Sequence, residues 1–161
     1  MKKDNKGFSL IELLIVLAIM GLLVGTTVNV WYYFRQADVK QASKLINTML
    51  EYTRTNTMSI NANWEMKIEK DITDDTYYVT VYRNGNLWRK NELGKRISIY
   101  TVKGSAETEI TSSVSVSITF KMDTGGIKEC GGAEAYRIKS GDKVVDVKLV
   151  PLTGAHYVEY Q

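Results

Sequence analysis

Hydrophobic residues are distributed in two contrasting ways along the 161-residue chain. Near the N-terminus, residues 13–34 form a run of 22 positions without a charged side chain, whereas most of the remaining chain mixes apolar and polar positions. A helix of about 20 apolar residues is long enough to cross the hydrocarbon core of a bilayer. The pattern therefore predicts a hydrophobic transmembrane helix over residues 8–34, followed by one soluble domain.

A second helical pattern follows the hydrophobic run directly. Its apolar positions recur at a spacing of three or four residues, which places them along one helix face. They are Val39, Ala42, Ile46, Met49 and Leu50. Because no proline interrupts residues 8–62, we expect one helix from about Phe8 to Met58. Its amphipathic second half, residues 35–58, is expected to pack on the domain.

Beyond this helix the apolar period changes to two, which is typical of β-strands. The segment TYYVTVYRNGNLW alternates on either side of Asn84-Gly85, a dipeptide that favours a two-residue hairpin turn. Tyr77, Val79 and Val81 are expected on one face of the first of these strands. Further strands are predicted in RISIY, SVSVSITF, AYRIKSGDKVVDVKLV and HYVEY.

Turn signals separate the predicted strands. They are Gly125-Gly126, Gly141-Asp142 and Thr153-Gly154. The single proline, Pro151, falls between two strands, where it removes no central hydrogen bond from a sheet. The polar segment VKGSAETEITSS, residues 102–113, is expected to be an exposed loop. The fold class is therefore α+β, a long N-terminal helix packed on an antiparallel β-sheet domain, with a β-rich head over residues 59–161.

Charge changes this picture only at the N-terminus. The chain has 21 Lys and Arg against 18 Asp and Glu, and three of the lysines lie within residues 1–7. Basic residues before a hydrophobic segment favour the cytoplasm, so the C-terminal domain is expected outside. The rest of the chain is nearly neutral, so a general attraction to nucleic acid is not expected.

The chain offers little catalytic or metal-binding chemistry. His156 is the only histidine and Cys130 the only cysteine, so neither a zinc site nor an intramolecular disulfide is expected. The two residues could in principle form a nucleophilic pair, but no sequence feature places them together. We expect His156 on a strand surface and Cys130 as a loop thiol or a small buried side chain. The sequence thus predicts a protein without enzymatic activity and without a cofactor.

Three interpretations of the N-terminus follow from the residues. A secretory signal peptide has a shorter apolar region and a cleavage site behind it, and a plain signal anchor would have no need of Glu12. A carboxylate at the centre of a membrane helix costs about 2.5–3.5 kcal/mol on insertion scales. Glu12 could reduce that cost by extending towards the lipid headgroups. The third interpretation accounts for it together with the residues before it.

The segment KGFSLIE, residues 6–12, resembles the class III leader of type IV pilins and type II secretion pseudopilins. In that family a prepilin peptidase cleaves after the glycine, the new N-terminal residue is N-methylated, and the fifth mature residue is Glu. The resemblance implies a leader peptide at residues 1–7, cleavage between Gly7 and Phe8, and methylation of Phe8. It also implies that Glu12 acts in assembly by pairing with the Phe8 amine of a neighbouring subunit, which sets the axial register.

The resemblance further implies partners and a location. Before assembly, the subunit would be a single-pass protein of the cytoplasmic membrane, in contact with lipid, the prepilin peptidase and the inner-membrane assembly platform. After assembly it would lie in an extracellular pilus or pseudopilus, held to other pilin or pseudopilin subunits through its N-terminal helix.

The C-terminal half is similar to the H-type minor pseudopilins and to FimT- and FimU-like minor pilins. The similarity lies in TRTNTMSINANWEMKI, in ITFKMDTGG and in a final strand after LTG. It implies a minor subunit. The alternatives that stay open are a major pilin, a tip-displayed adhesin or DNA-binding minor pilin, and a membrane-anchored domain that never polymerises. Because the C-terminal AHYVEYQ contains no Lys or Arg, nucleic acid is not an expected partner.

Overall fold

The computed structural model describes the backbone of residues 9–161 and the side chains of residues 9–24 and 36–161. A single helix, α1, covers Leu10–Ser59, close to the helix expected from the sequence. The chain divides into two compact units, Met1–Phe34 and Arg35–Gln161. Leader residues 1–7 and Phe8 lie outside the described residues.

In the N-terminal unit, the large apolar side chains are exposed wherever they are described. Between Leu10 and Val24 their exposed fractions range from 47% at Val16 to 81% at Leu10. Within the part of the chain that the structure describes, no helix combines the length and the hydropathy needed to span a membrane. The membrane span expected over residues 8–34 is therefore not confirmed.

In the second unit, α1 buries the apolar stripe that its sequence predicts. All five residues of the stripe are at most 4% exposed, and Ala42, Ile46 and Leu50 are completely buried. Thr53 and Thr57 continue the buried face, although they are polar. Their hydroxyl groups donate to the helix carbonyls of Met49 and Thr53, at 2.7 and 2.8 Å respectively. This internal pairing makes burial of the hydroxyl groups tolerable.

Ten strands form two antiparallel sheets of five strands each. The first sheet has the order β3-β2-β1-β6-β7. Its strands are β1 Trp64–Lys70, β2 Tyr77–Arg83, β3 Asn86–Gly94, β6 Val116–Phe120 and β7 Ile127–Glu129. The second sheet has the order β10-β9-β8-β4-β5. Its strands are β4 Ser98–Lys103, β5 Ala106–Glu109, β8 Ala135–Ser140, β9 Lys143–Val150 and β10 Ala155–Tyr160. The α+β class is confirmed, with two sheets in the head.

The Asn84-Gly85 hairpin is confirmed between β2 and β3. Both residues have positive φ angles, 51° and 79°, as a type I′ turn requires. Asn84 also fixes the hairpin to the segment between α1 and β1, because its Oδ1 accepts the backbone N–H of Asn63 at 2.9 Å. The predicted face of β2 is correct as well, since Tyr77, Val79 and Val81 are all 0% exposed.

One expectation about a loop is wrong. Within residues 102–113, β5 pairs with β4 across a turn at Gly104, whose φ is 57°. Each residue of β5 is exposed, so the strand carries no apolar alternation that could have indicated it. The same segment contains Ile110, which is 0% exposed and whose carbonyl accepts the Tyr77 hydroxyl at 3.0 Å.

One continuous core joins the second part of α1 to both sheets. The buried cluster contains Ile46 and Leu50 from the helix, Met66 from the first sheet, and Ile138 and Val147 from the second. The helix and both sheets therefore bury their apolar faces in the same hydrophobic core.

Candidate functional site

The N-terminal motif begins with a helix cap. Ser9 precedes α1, and its carbonyl accepts the N–H of Leu13 at 3.2 Å. The Glu12 side chain folds back, so that its Oε2 accepts the Ser9 N–H at 3.0 Å. Ser9 and Glu12 therefore form one of the two reciprocal bonds of a Ser-x-x-Glu capping box, the bond from the N-cap N–H to the glutamate.

This arrangement gives the Glu12 carboxylate a local role. It satisfies a backbone donor that the first turn of a helix leaves unpaired. Its negative charge also lies near the helix N-terminus, where the helix dipole is favourable to anions. Glu12 is nevertheless exposed, so the carboxylate stays accessible to a cation from another molecule. The S-x-x-E spacing was readable in the sequence, and the role of Ser9 was the part that was missed.

The predicted cleavage and methylation sites, Gly7 and Phe8, lie outside the described residues. Cleavage, methylation and the pairing of Glu12 with a Phe8 amine therefore stay predictions. Next to Glu12, the described residues of the motif form a helix with apolar side chains exposed from Leu10 to Val24. Contiguous exposed apolar surface of this kind marks a site of association with protein or lipid.

His156 and Cys130 belong to separate local structures. The expectation of a surface His156 is wrong: the residue lies on β10, but its side chain is only 3% exposed. Its Nε2 lies 3.4 Å from Glu51 Oε2 on α1, and its Nδ1 lies 3.0 Å from the Gly154 carbonyl oxygen. Cys130 is half-buried, and its Sγ donates to the Ala133 carbonyl at 3.5 Å. Among the described residues, no group of three or more His, Cys, Asp or Glu is placed to hold a metal ion.

Arg54 joins the helix to turns from both sheets. Its Nε donates to the Gly125 carbonyl at 3.1 Å, and its Nη2 donates to the Thr153 carbonyl at 3.2 Å. The two turns meet so closely that a Cβ added to Gly154 would lie 1.8 Å from the Gly125 oxygen. The sequence marked both turns, but the side chain that joins them was not identified, because the contact spans 71 residues from Arg54 to Gly125.

An ion-paired cluster lies on the second sheet. Asp146 of β9 is 0% exposed at its side chain and accepts two hydrogen bonds from Arg137 of β8, each 2.7 Å long. Burial by itself would raise the pKa of Asp146, but the Arg137 hydrogen bonds and the charges of Arg137 and Lys148 outweigh it and hold that pKa below its ordinary value. Lys139 and Arg137 likewise lower the pKa of Glu107 on β5. The cluster ties three strands together and contains no unpaired charge that would indicate catalysis.

Aromatic and arginine side chains gather where the β2–β3 hairpin meets the helix. The Trp64 ring makes edge-to-face contacts with Tyr52 and Trp88, with centroids 6.0 and 5.9 Å apart. Trp88 Nε1 donates to the Tyr52 hydroxyl at 2.8 Å. Arg83 lies 5.6 Å from the Trp64 ring. The rings and the cation interact with one another, so this cluster packs the hairpin onto the helix.

Comparison with known proteins bears on the N-terminal motif. No curated protein sequence and no solved structure matches the chain. Residues 2–28 match the family model of the prokaryotic N-terminal methylation motif. The matched residues include Gly7, Phe8, the Ser9–Glu12 cap and the exposed apolar helix up to Val24. The match indicates a type IV pilin-like prepilin.

Proposed function

We propose that the chain is a structural subunit of a type IV pilus or pseudopilus, specifically a minor pilin or pseudopilin that polymerises through its N-terminal helix. The observation that carries the proposal is the match of residues 2–28 to the methylation motif. The β-rich unit Arg35–Gln161 would be the part that the filament displays. The subunit acts by assembly and performs no catalysis.

The order of events follows from the motif. A prepilin peptidase cleaves between Gly7 and Phe8, and the new Phe8 amine is methylated. Until assembly, the apolar helix is held in the cytoplasmic membrane, where the assembly platform collects the subunit. In the filament, the apolar side chains from Leu10 to Val24 pack against the helices of neighbouring subunits. Because the helix passes from lipid into the filament, its association is driven by van der Waals packing and polar pairing and not by removal of apolar surface from water.

Glu12 links cleavage to assembly. Cleavage creates a cationic amine at Phe8, and a buried carboxylate is tolerated only when it is paired. In the isolated subunit, Glu12 is satisfied in part by the Ser9 N–H of its own chain. In the filament, its negative charge pairs with the Phe8 amine of a neighbour. A buried charge of this kind sets register more than it adds stability.

Three substitutions at Glu12 test this role and separate it from capping. Glu12→Val removes both the cap and the charge, Glu12→Gln keeps an oxygen that can accept the Ser9 N–H, and Glu12→Asp keeps the charge with a shorter reach. Leaving one member of a buried pair alone costs about 3–5 kcal/mol, which corresponds to at least about a hundredfold in association. We therefore expect Glu12→Val and Glu12→Gln to enter filaments about a hundredfold less than wild type, and Glu12→Asp to fall between.

The measurement is the amount of subunit in sheared filaments relative to the membrane fraction of the native cell. Cleavage of each variant is checked by intact mass, and we expect all three to be processed to a chain that begins at Phe8. Wild-type incorporation of Glu12→Gln would show that Glu12 acts only as a cap. A wild-type chain recovered with Met1 at its N-terminus would contradict the proposed processing.

A further inference from the structure

A basic groove lies between the second part of α1 and the last two strands. Its volume is about 420 Å³. The residues that line it include Gln36, Val39, Lys40, Lys44, Lys143 and Tyr160. Three of them are lysines and none is an aspartate or glutamate. We call this feature the lysine groove.

The helix and the sheet bring the lysines of the groove together. Lys40 and Lys44 are four residues apart on α1 and therefore lie on one helix face. Val39 beside them is 1% exposed, so the helix is held firmly against the core at this point. Lys143 opens β9, and Tyr160 of β10 lies opposite, with its ring centroid 5.9 Å from Lys40 Nζ.

The two helix lysines lack the ion pairs that several other lysines of this unit form. Lys139 and Lys148 form ion pairs with Glu107 and Asp146. Within the described part of the chain, no carboxylate lies within ion-pair distance of Lys40 or Lys44. Like charges four residues apart on a helix destabilise it slightly. An anion in the groove would relieve this repulsion and accept hydrogen bonds from the ammonium groups and from the Gln36 amide.

We propose that the lysine groove binds the phosphate of an anionic phospholipid headgroup. Lys40 follows Phe34 by only six positions, which limits their separation to about 20 Å even for an extended chain. If residues 8–34 are held in lipid before assembly, as the proposed function requires, the groove lies within reach of the headgroups. A basic residue near an anionic membrane surface strengthens binding about fivefold. The groove thereby retains the unassembled subunit against the bilayer.

The first test uses the full chain reconstituted in two kinds of bilayer, one of phosphatidylcholine alone and one containing phosphatidylglycerol. Lysines are acetylated briefly, and the modification of each is measured by peptide mass spectrometry. We expect acetylation of Lys40 and Lys44 to fall at least fivefold in the anionic bilayer, while that of the exposed Lys121 and Lys128 changes less than twofold. Inorganic phosphate added to the neutral bilayer is expected to leave all four unchanged.

The second test separates the groove from simple closeness to the membrane. Lys143→Gln alters the groove from the opposite side and leaves the helix untouched. In the anionic bilayer, we expect Lys143→Gln to restore at least half of the acetylation that Lys40 and Lys44 lose in the wild-type chain. In detergent, native mass spectrometry is expected to show at least fivefold less bound phosphatidylglycerol on the Lys40→Gln/Lys44→Gln chain. The control Lys121→Gln/Lys128→Gln has the same net charge and is expected to bind as wild type.

The outcomes distinguish this proposal from the function on which it rests. Equal acetylation in the two bilayers, or equal lipid loss in the two double variants, would overturn the groove proposal and leave the filament function intact. Protection by inorganic phosphate alone would also overturn it, since the groove would then be a general anion site. A chain that enters neither bilayer would contradict both proposals.

Discussion

Two parts of the same helix have opposite relations to the rest of the chain. Between Leu10 and Val24, the apolar side chains face solvent around the helix. Between residues 36 and 58, α1 has one apolar stripe, and that stripe lies in the core of the second unit. Most of a helix's stability in a protein comes from packing of its apolar face. The second part buries its stripe within the chain, whereas the described apolar side chains of the first part stay exposed.

This contrast has a simple sequence basis. The second part interrupts its apolar residues with charged ones on the opposite face, such as Lys40 and Glu51, which define a single buried side. The first part carries only one charge, Glu12, at its very start. A helix segment that is apolar on all sides has no single face to bury against one small domain.

The largest effect is expected from matched leucine truncations. Leu50 is 0% exposed and Leu17 is 61% exposed. We expect Leu50→Ala to lower the free energy of unfolding by about 3–5 kcal/mol, because it leaves a cavity in the core. Leu17→Ala is expected to change it by less than about 0.5 kcal/mol. Chemical denaturation of the full chain in mild detergent measures both. Equal losses would show that the first part also packs within the chain.

A somewhat smaller loss of stability is expected when a methyl group is added at Gly154, where the β9–β10 turn meets the β6–β7 turn. Gly154 has a φ of 68°, and an added Cβ would lie 1.8 Å from the Gly125 carbonyl oxygen. Left-handed strain of about 1–2 kcal/mol and overpacking of about 1–3 kcal/mol together predict that Gly154→Ala destabilises the second unit by about 2–5 kcal/mol. Thermal unfolding is the measurement. Gly85→Ala is the matched control, because its φ is also positive but an added Cβ meets nothing within 4 Å.

Neutralising one carboxylate in each region gives a third comparison. Asp146→Asn removes the charge that pairs with Arg137, which is itself 21% exposed. We expect a loss of about 2–3 kcal/mol in the free energy of unfolding, somewhat below the value of about 3–5 kcal/mol for a fully buried pair. Glu12→Gln, at an exposed carboxylate, is expected to change this quantity by less than about 0.5 kcal/mol. Denaturant titrations at pH 7 test both.

The same pair has a defined pH dependence. Because the folded protein holds the pKa of Asp146 below its ordinary value, its ionised form stabilises the fold above the unfolded pKa of about 3.9. That contribution is lost as the pH falls from about 5 through the folded pKa. We therefore expect the wild-type stability to fall more steeply below pH 5 than that of Asp146→Asn. Parallel curves would mean that other carboxylates account for the acid sensitivity.

The smallest effect has the opposite sign. Gly21 lies inside α1, and an added Cβ would meet nothing within 4 Å. Since glycine in a helix interior is less favourable than alanine by about 0.5–1 kcal/mol, Gly21→Ala is expected to raise helix stability by that amount. Amide hydrogen exchange of residues around Gly21 in detergent measures it. If Gly21→Ala stabilises the helix but enters filaments more slowly, a neighbouring subunit makes a close contact at this glycine.

Local patterns in the sequence were enough to determine several elements. The spacing of Val39, Ala42 and Ile46 gave the buried helix face, because a helix of 3.6 residues per turn places them on one side. The Asn84-Gly85 turn followed from the φ angles that only a few residues adopt. The methylation motif, which includes Gly7 to Glu12, was also readable from the residues alone, since it is a local sequence pattern.

Tertiary structure decided the contacts between segments that are distant in the chain. The separation of the strands into two sheets, the position of Arg54 between two turns and the burial of His156 against Glu51 depend on which strands pair and where the helix lies. The exposed strand β5 has no apolar face of its own and forms because β4 offers it a hydrogen-bonding edge. The lysine groove likewise exists only because the fold brings Lys143 to Lys40 and Lys44. Periodicity encodes which side of an element is buried, but the partner of that side is set by packing of the whole core.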